Sequence, residues 1–195
     1  SSAPEMMLVK RTSSSQSWFV YHKDFGTLGH WQAKLNTTDA PFDDDGAWND
    51  TAPSNSLITF GNSGATNQSS GTFIAYCFHS VTGYSKFGTY NGTGSANNAI
   101  TLGFRPAFLM VKRTNSTEDW FMFDSTRNPL NTVTQRLKAN TSDADGAYSY
   151  VNFTDTGFSW QATGTGQNGS GDSYIYMAFA GGLDSIAPVN TDGDI

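Results

Sequence analysis

The sequence predicts an all-β protein made of two tandem antiparallel β-sandwich repeats of about 100 residues each, with almost no helix. Three observations carry that prediction. Ser, Thr, Asn and Gly supply 80 of the 195 residues and only 28 are charged, so strong helix formers are scarce. The 27 aromatic residues run along the whole chain, as half-buried sheet faces require. Finally, PEMMLVKRTSSSQSWFVY at residues 4–21 aligns without gaps on PAFLMVKRTNSTEDWFMF at 106–123, with eight of 18 positions identical.

The repeat continues beyond that block. Asp45-Gly46-Ala47-Trp48 answers Asp145-Gly146-Ala147-Tyr148, SLITF at 56–60 answers TGFSW at 156–160, and FIAYCF at 73–78 answers YIYMAF at 174–179. In the first unit, residues 6–12, 17–23, 31–35, 56–61 and 72–81 read as strands between turn clusters, with 86–90 following. The polar loops 13–17 and 115–119 have hairpin length, so the runs flanking each are expected to pair antiparallel. In Trp18-Phe19-Val20-Tyr21 both strand faces are apolar. One face should meet a second sheet and the other a loop or a neighbouring domain. Nothing before Pro4 answers YSKFGTYNG, so the first unit is read as lacking its opening strand. The boundaries expected are 1–83 for the first repeat, 84–182 for the second, and a linker-like tail at 183–195. The two halves fused into one large sandwich is the alternative arrangement.

Net charge −6 and pI near 4.8 argue against a phosphate-binding surface, so no nucleic-acid partner is expected. No apolar run approaches a membrane span of about 20 residues, and Ser1-Ser2-Ala3-Pro4 does not read as a signal peptide. Membrane insertion is not expected. Cys77, in an apolar run and without a second cysteine to pair with, reads as a small buried hydrophobe.

Candidate chemistry is sparse. His22, His30 and His79 show no HxH or HxxxH spacing, and no G-x-S-x-G elbow is present, so no catalytic residue is assigned. Asp43, Asp44 and Asp45 form an acidic loop that in a rival reading would hydrolyse glycosidic bonds. Asp43 and Asp45, with Asp143 and Asp145, give two D-x-D-G segments that resemble the start of a calcium loop, although neither continues to the glutamate an EF-hand needs. No other cofactor is expected. Trp31, Trp48 and Tyr148 lie in or beside loop-like segments with polar neighbours, the equipment for stacking on a sugar ring; packing at the ends of the sandwich is the structural alternative. Lys10-Arg11 and Lys112-Arg113 recur near Trp18 and Trp120, where their stems can cover the indoles. Eight N-x-S/T sequons occur in this Ser- and Thr-rich chain, at Asn36, Asn49, Asn67, Asn91, Asn115, Asn140, Asn152 and Asn168.

Taken together, PEMMLVKRT, WFVYH, YCFHSVTGYSKFGTYNGTGS, GFRPAFLMVKRT, WFMFD and SYIYMAFA resemble the long repetitive virion proteins of marine tailed bacteriophages. The resemblance runs from Pro4 to Ala180. It implies concanavalin- or jelly-roll-like sandwiches in a tail fibre, tail spike or other exposed appendage at the virion surface. It also implies a structural and adhesive role, with a host-surface glycan or receptor and other virion subunits, in a homotrimer, as partners. It carries over no active-site residues. A polysaccharide depolymerase and a spacer or decoration protein without ligand are the alternatives.

Overall fold

The computed structural model describes residues 2–181; the tail at 183–195 lies outside them. Among the described residues strands hold 41% and helix 2%, in two sheets. The first sheet is built around β1 (Met6–Arg11), which pairs antiparallel with β2 (Phe19–His22) on one side and with β5 (Phe73–Phe78) on the other. Beyond β2 come β3 (Trp31–Lys34) and the two-residue β4 (Phe42–Asp43), giving the order β4-β3-β2-β1-β5. A four-residue helix, α1 (Asp45–Trp48), follows β4.

The second sheet has eight strands. In chain order they are β6 (Ser85–Asn91), β7 (Asn98–Thr101), β8 (Pro106–Arg113), β9 (Trp120–Asp124), β10 (Val133–Lys138), β11 (Gly146–Thr154), β12 (Gly157–Trp160) and β13 (Ser173–Ala180). Their order is β6-β13-β8-β9-β10-β11-β12-β7, so the two outermost strands are consecutive in the chain and joined by a short turn. A sheet whose first and last strands are tied in this way curls into a near-barrel.

The order β2-β1-β5 in the first sheet repeats as β9-β8-β13 in the second. A side-chain clamp recurs with it. Asn36 Oδ1 accepts from the Trp18 amide at 2.8 Å and Asn140 Oδ1 from the Trp120 amide at 2.9 Å. Leu35 and Ala139 return the contact by donating their amides to the Trp18 and Trp120 carbonyls. The sequons at Asn36 and Asn140 are therefore paired turn elements of the fold.

Period-two alternation sorts the apolar side chains into three cores. Leu109, Val111, Phe121, Phe123, Tyr174 and Tyr176 point into the near-barrel, where they meet Tyr90, Phe158 and Trp160. Met110, Trp120, Ile175 and Met177 point the other way and pack on Met6, Val20, Phe25 and Ala33 of the first half. Val20 thus faces the second sheet. Phe19 and Tyr21 face a layer formed by α1 and the loop after it, against Trp48 and Ala65. Both apolar faces of the WFVY strand are used as its pattern predicts.

Three sequence expectations need correction. Residues 56–61 form no strand, whereas their counterpart β12 is paired on both sides. Their backbone is drawn to α1 instead: Gly61 N–H donates to the Ala47 carbonyl at 3.0 Å. A Cβ at Gly61 would stand 2.4 Å from the Asp45 and Gly46 carbonyl oxygens, so glycine is required for that approach. Trp48 is fully buried, with Tyr21 edge-on at 5.9 Å and Phe60 at 6.1 Å. Cys77 is exposed, because β5 is an edge strand with no neighbour beyond it among the described residues.

Candidate functional site

The aromatic and acidic candidates separate into a corner of the first sheet and two isolated positions on the second. The corner is set by two glycines in left-handed backbone. At Gly26 a Cβ would fall 2.4 Å from the Trp31 indole, so the ring lies against that backbone. At Gly29 a Cβ would fall 2.4 Å from the Ala52 amide nitrogen, so the 49–52 loop packs on it. Any other residue at either position would be strained and would clash.

In the same corner three polar groups come together. His30 Nδ1 lies 3.3 Å from Asp50 Oδ1. Asp43 is paired with Trp31 in the β3–β4 register, and the Asp44 amide donates to the His30 carbonyl at 3.1 Å. One ligand atom from each of His30, Asp43 and Asp50 falls within 4.8 Å of the others. His30 and Trp31 are half-buried and both carboxylates are exposed. The corner therefore holds a half-buried aromatic ring that lies against Gly26 and packs on the core shared by the two halves, next in the chain to a cluster of one imidazole and two carboxylates. It offers one nitrogen and two carboxylates to a cation, fewer oxygens than the six to eight calcium takes.

Neighbouring acidic residues have structural duties. Asp44 caps α1, its Oδ1 accepting from the Gly46 amide at 2.7 Å. Asp45 begins the helix and does not join the His30 group. On the second sheet, Asp143 pairs with Lys138 at 2.9 Å and Asp145 with Arg127 at 2.7 Å. Lys138 holds the Asp143 carboxyl below its ordinary value through that hydrogen bond. The two D-x-D-G segments thus stand in different surroundings.

Tyr148 is 60% exposed on β11, with Tyr150 at 5.5 Å. Trp48 is buried and offers no platform, which corrects its place among the sugar-stacking candidates. A cleft of about 490 Å³ lies beside Arg105, Ala107 and Asp155 and contains none of the candidate residues; the Arg105 guanidinium there donates to the Phe153 carbonyl.

The structure adds residues that composition hides. Asn168 is fully buried although it begins a sequon: its amide donates to the Ser95 and Ala162 carbonyls, while its oxygen accepts from the Thr93 amide and Asn98. Lys112 is also fully buried. Its ammonium donates to the carbonyls of Thr38, at 2.9 Å, and Glu118, and lies 6.0 Å from the centre of the Trp120 ring. The Trp120 indole N–H donates to the Lys34 carbonyl at 3.0 Å. The recurring Lys-Trp pair is the only sequence signal for this join between the halves.

Residues 1–182 match the family described as "Domain of unknown function (DUF7483)". The chain belongs to the DUF7483 family. No curated protein and no solved structure matches it significantly. The DUF7483 match spans both sheets and the Trp31 corner.

Proposed function

We propose that this DUF7483 chain is a structural and adhesive β-module that recognises glycan through the Trp31 corner. The observation that carries this reading is that Trp31, half-buried with its ring on Gly26, follows His30 in the chain and is paired in register with Asp43, two of the three residues in the His30–Asp43–Asp50 cluster. A flat apolar ring receives the C–H face of a sugar, and adjacent imidazole and carboxylate groups receive its hydroxyls. We place the module in a tail fibre or other exposed appendage of a bacteriophage particle, a reading supported by the resemblance of its motifs to virion proteins. There it works with other virion subunits and a host-surface glycan. We also read the two halves as sandwich repeats of about 100 residues, divided at 1–83 and 84–182. The matched Asn36 and Asn140 clamps support that division.

A glycan array followed by titration of the best ligand tests the function. Trp31→Ala should weaken binding about tenfold or more, and Trp31→Phe less, because the phenyl ring keeps part of the stacking face. Unchanged binding in Trp31→Ala would remove this corner from the reading. Shortening of the glycan chains by the unaltered protein would point to a depolymerase instead, and binding to no glycan on a broad array would point to a spacer.

A further inference from the structure

The two halves share a strand order but not an edge. In the second sheet β13 is flanked by β8 and β6, and in the first its counterpart β5 is flanked, among the described residues, by β1 alone. The hydrogen-bond phase shows what is left over. Thr12 N–H donates to the Thr72 carbonyl at 2.8 Å, as Thr114 N–H does to Ser173. Antiparallel alternation then turns the amides of Ile74, Tyr76 and Phe78 toward β1 and those of Phe73, Ala75 and Cys77 toward the open side. The matching amides of Tyr174, Tyr176 and Ala178 face β6, in a ladder running from Phe179–Ser85 to Ser173–Asn91.

The side chains of β5 show the same vacancy. The strand FIAYCF carries no charge, no proline and no bulge, the devices that protect natural sheet edges. Ile74 and Tyr76 are 39% and 45% exposed, and Ala75 and Cys77 are exposed on the opposite face. In the second half, Tyr90 of β6 stacks on Tyr174 at 4.9 Å with rings nearly parallel, and Gly88 lies beneath Tyr176. At the corresponding places β5 has a half-buried Phe73, ready for an aromatic partner, and Ala75, which leaves room above the strand.

We propose that the open edge of β5 is an acceptor site for an extended strand of the β6 type, supplied by another polypeptide and carrying an aromatic side chain opposite Phe73. Main-chain bonds to Phe73, Ala75 and Cys77 give the affinity, and the ring opposite Phe73 sets the register. The inference stands apart from the glycan reading, because β5 is at the other edge of the sheet from the Trp31 corner.

The experiment uses the full chain and a capped peptide of residues 84–91, YSKFGTYN, with a scrambled peptide as control. Saturating peptide should protect the Phe73, Ala75 and Cys77 amides from hydrogen exchange and slow reaction of the Cys77 thiol; the scrambled peptide should do neither. Ala75→Pro removes an outward N–H that β1 does not use, so the fold should survive while peptide affinity drops about tenfold or more. Ala75→Lys, which keeps the N–H and adds a charge at the edge, is the second variant and should also weaken binding. No protection by the peptide, equal protection of the native chain and both folded variants, edge amides already protected in the free chain, or self-association through β5 that the peptide does not compete with, would each overturn the proposal.

Discussion

Asp44 shows how one side chain decides local structure where two segments of the chain read alike. DGAW at 45–48 is helical and DGAY at 145–148 belongs to a region where β11 begins at Gly146, and the residue before the tetrad is Asp44 in one case and Ala144 in the other. The Asp44 carboxylate caps the helix, and the turn carries Trp48 inward against Tyr21. Asp44→Ala should therefore cost about 1 kcal/mol in urea unfolding. His22 is a second decisive residue. It is buried against Phe25, with Glu5, Lys23 and Asp24 around it, and burial pulls its imidazole down to about 3. Below the ordinary histidine value near 6.5 the unfolded chain binds this proton and the folded one does not. Stability should then rise with pH between about 3 and 6.5, and be lost as pH falls at up to about 1.4 kcal/mol per unit. Urea unfolding at pH 7 and pH 5 checks this, and His22→Gln should flatten the difference. Neither duty was legible in the sequence, because an N-cap and a buried neutral imidazole depend on neighbours brought in by the fold.

Elements were more legible than sites. The β1–β2 and β8–β9 hairpins follow from runs that are apolar on both faces and separated by short polar loops, and both form as expected. The same pattern matching fails at 56–61. Its resemblance to β12 is real, but a strand needs partners, and β12 has β7 and β11 where the first half supplies α1 and a loop. Cys77 is exposed for a related reason: an apolar run shows that a strand forms, not whether another strand covers its edge. At the candidate site, Trp31 and Asp43 were legible as residue types beside turns. Their grouping with His30 and Asp50 was not, since it rests on the close approaches at Gly26 and Gly29.

At the scale of the whole molecule, the three cores predict how the chain unfolds. Among the described residues the near-barrel core draws on Tyr90 to Ala180, whereas a second core is shared between the halves. Residues 84–182 produced alone should therefore melt cooperatively, at a lower temperature than the full chain. Residues 1–83 alone should show no cooperative transition, having lost the surface that covers Met6 and Val20. Calorimetry of the two pieces checks both outcomes, and a molten 84–182 would mean that the halves fold only as one unit. Lys112 and Trp120 belong to this scale too, because their bonds to the Thr38 and Lys34 carbonyls tie one half to the other.

The contact between Phe78 and Phe179, 5.9 Å apart, also fixes where the described chain enters and leaves. Met6 is paired with Phe78, and Ala180 follows Phe179, so entry and exit lie at the same end of the body. A pulling force applied at those two points would be carried across the short span between them, leaving the Trp31 corner and the rest of the body outside the load path.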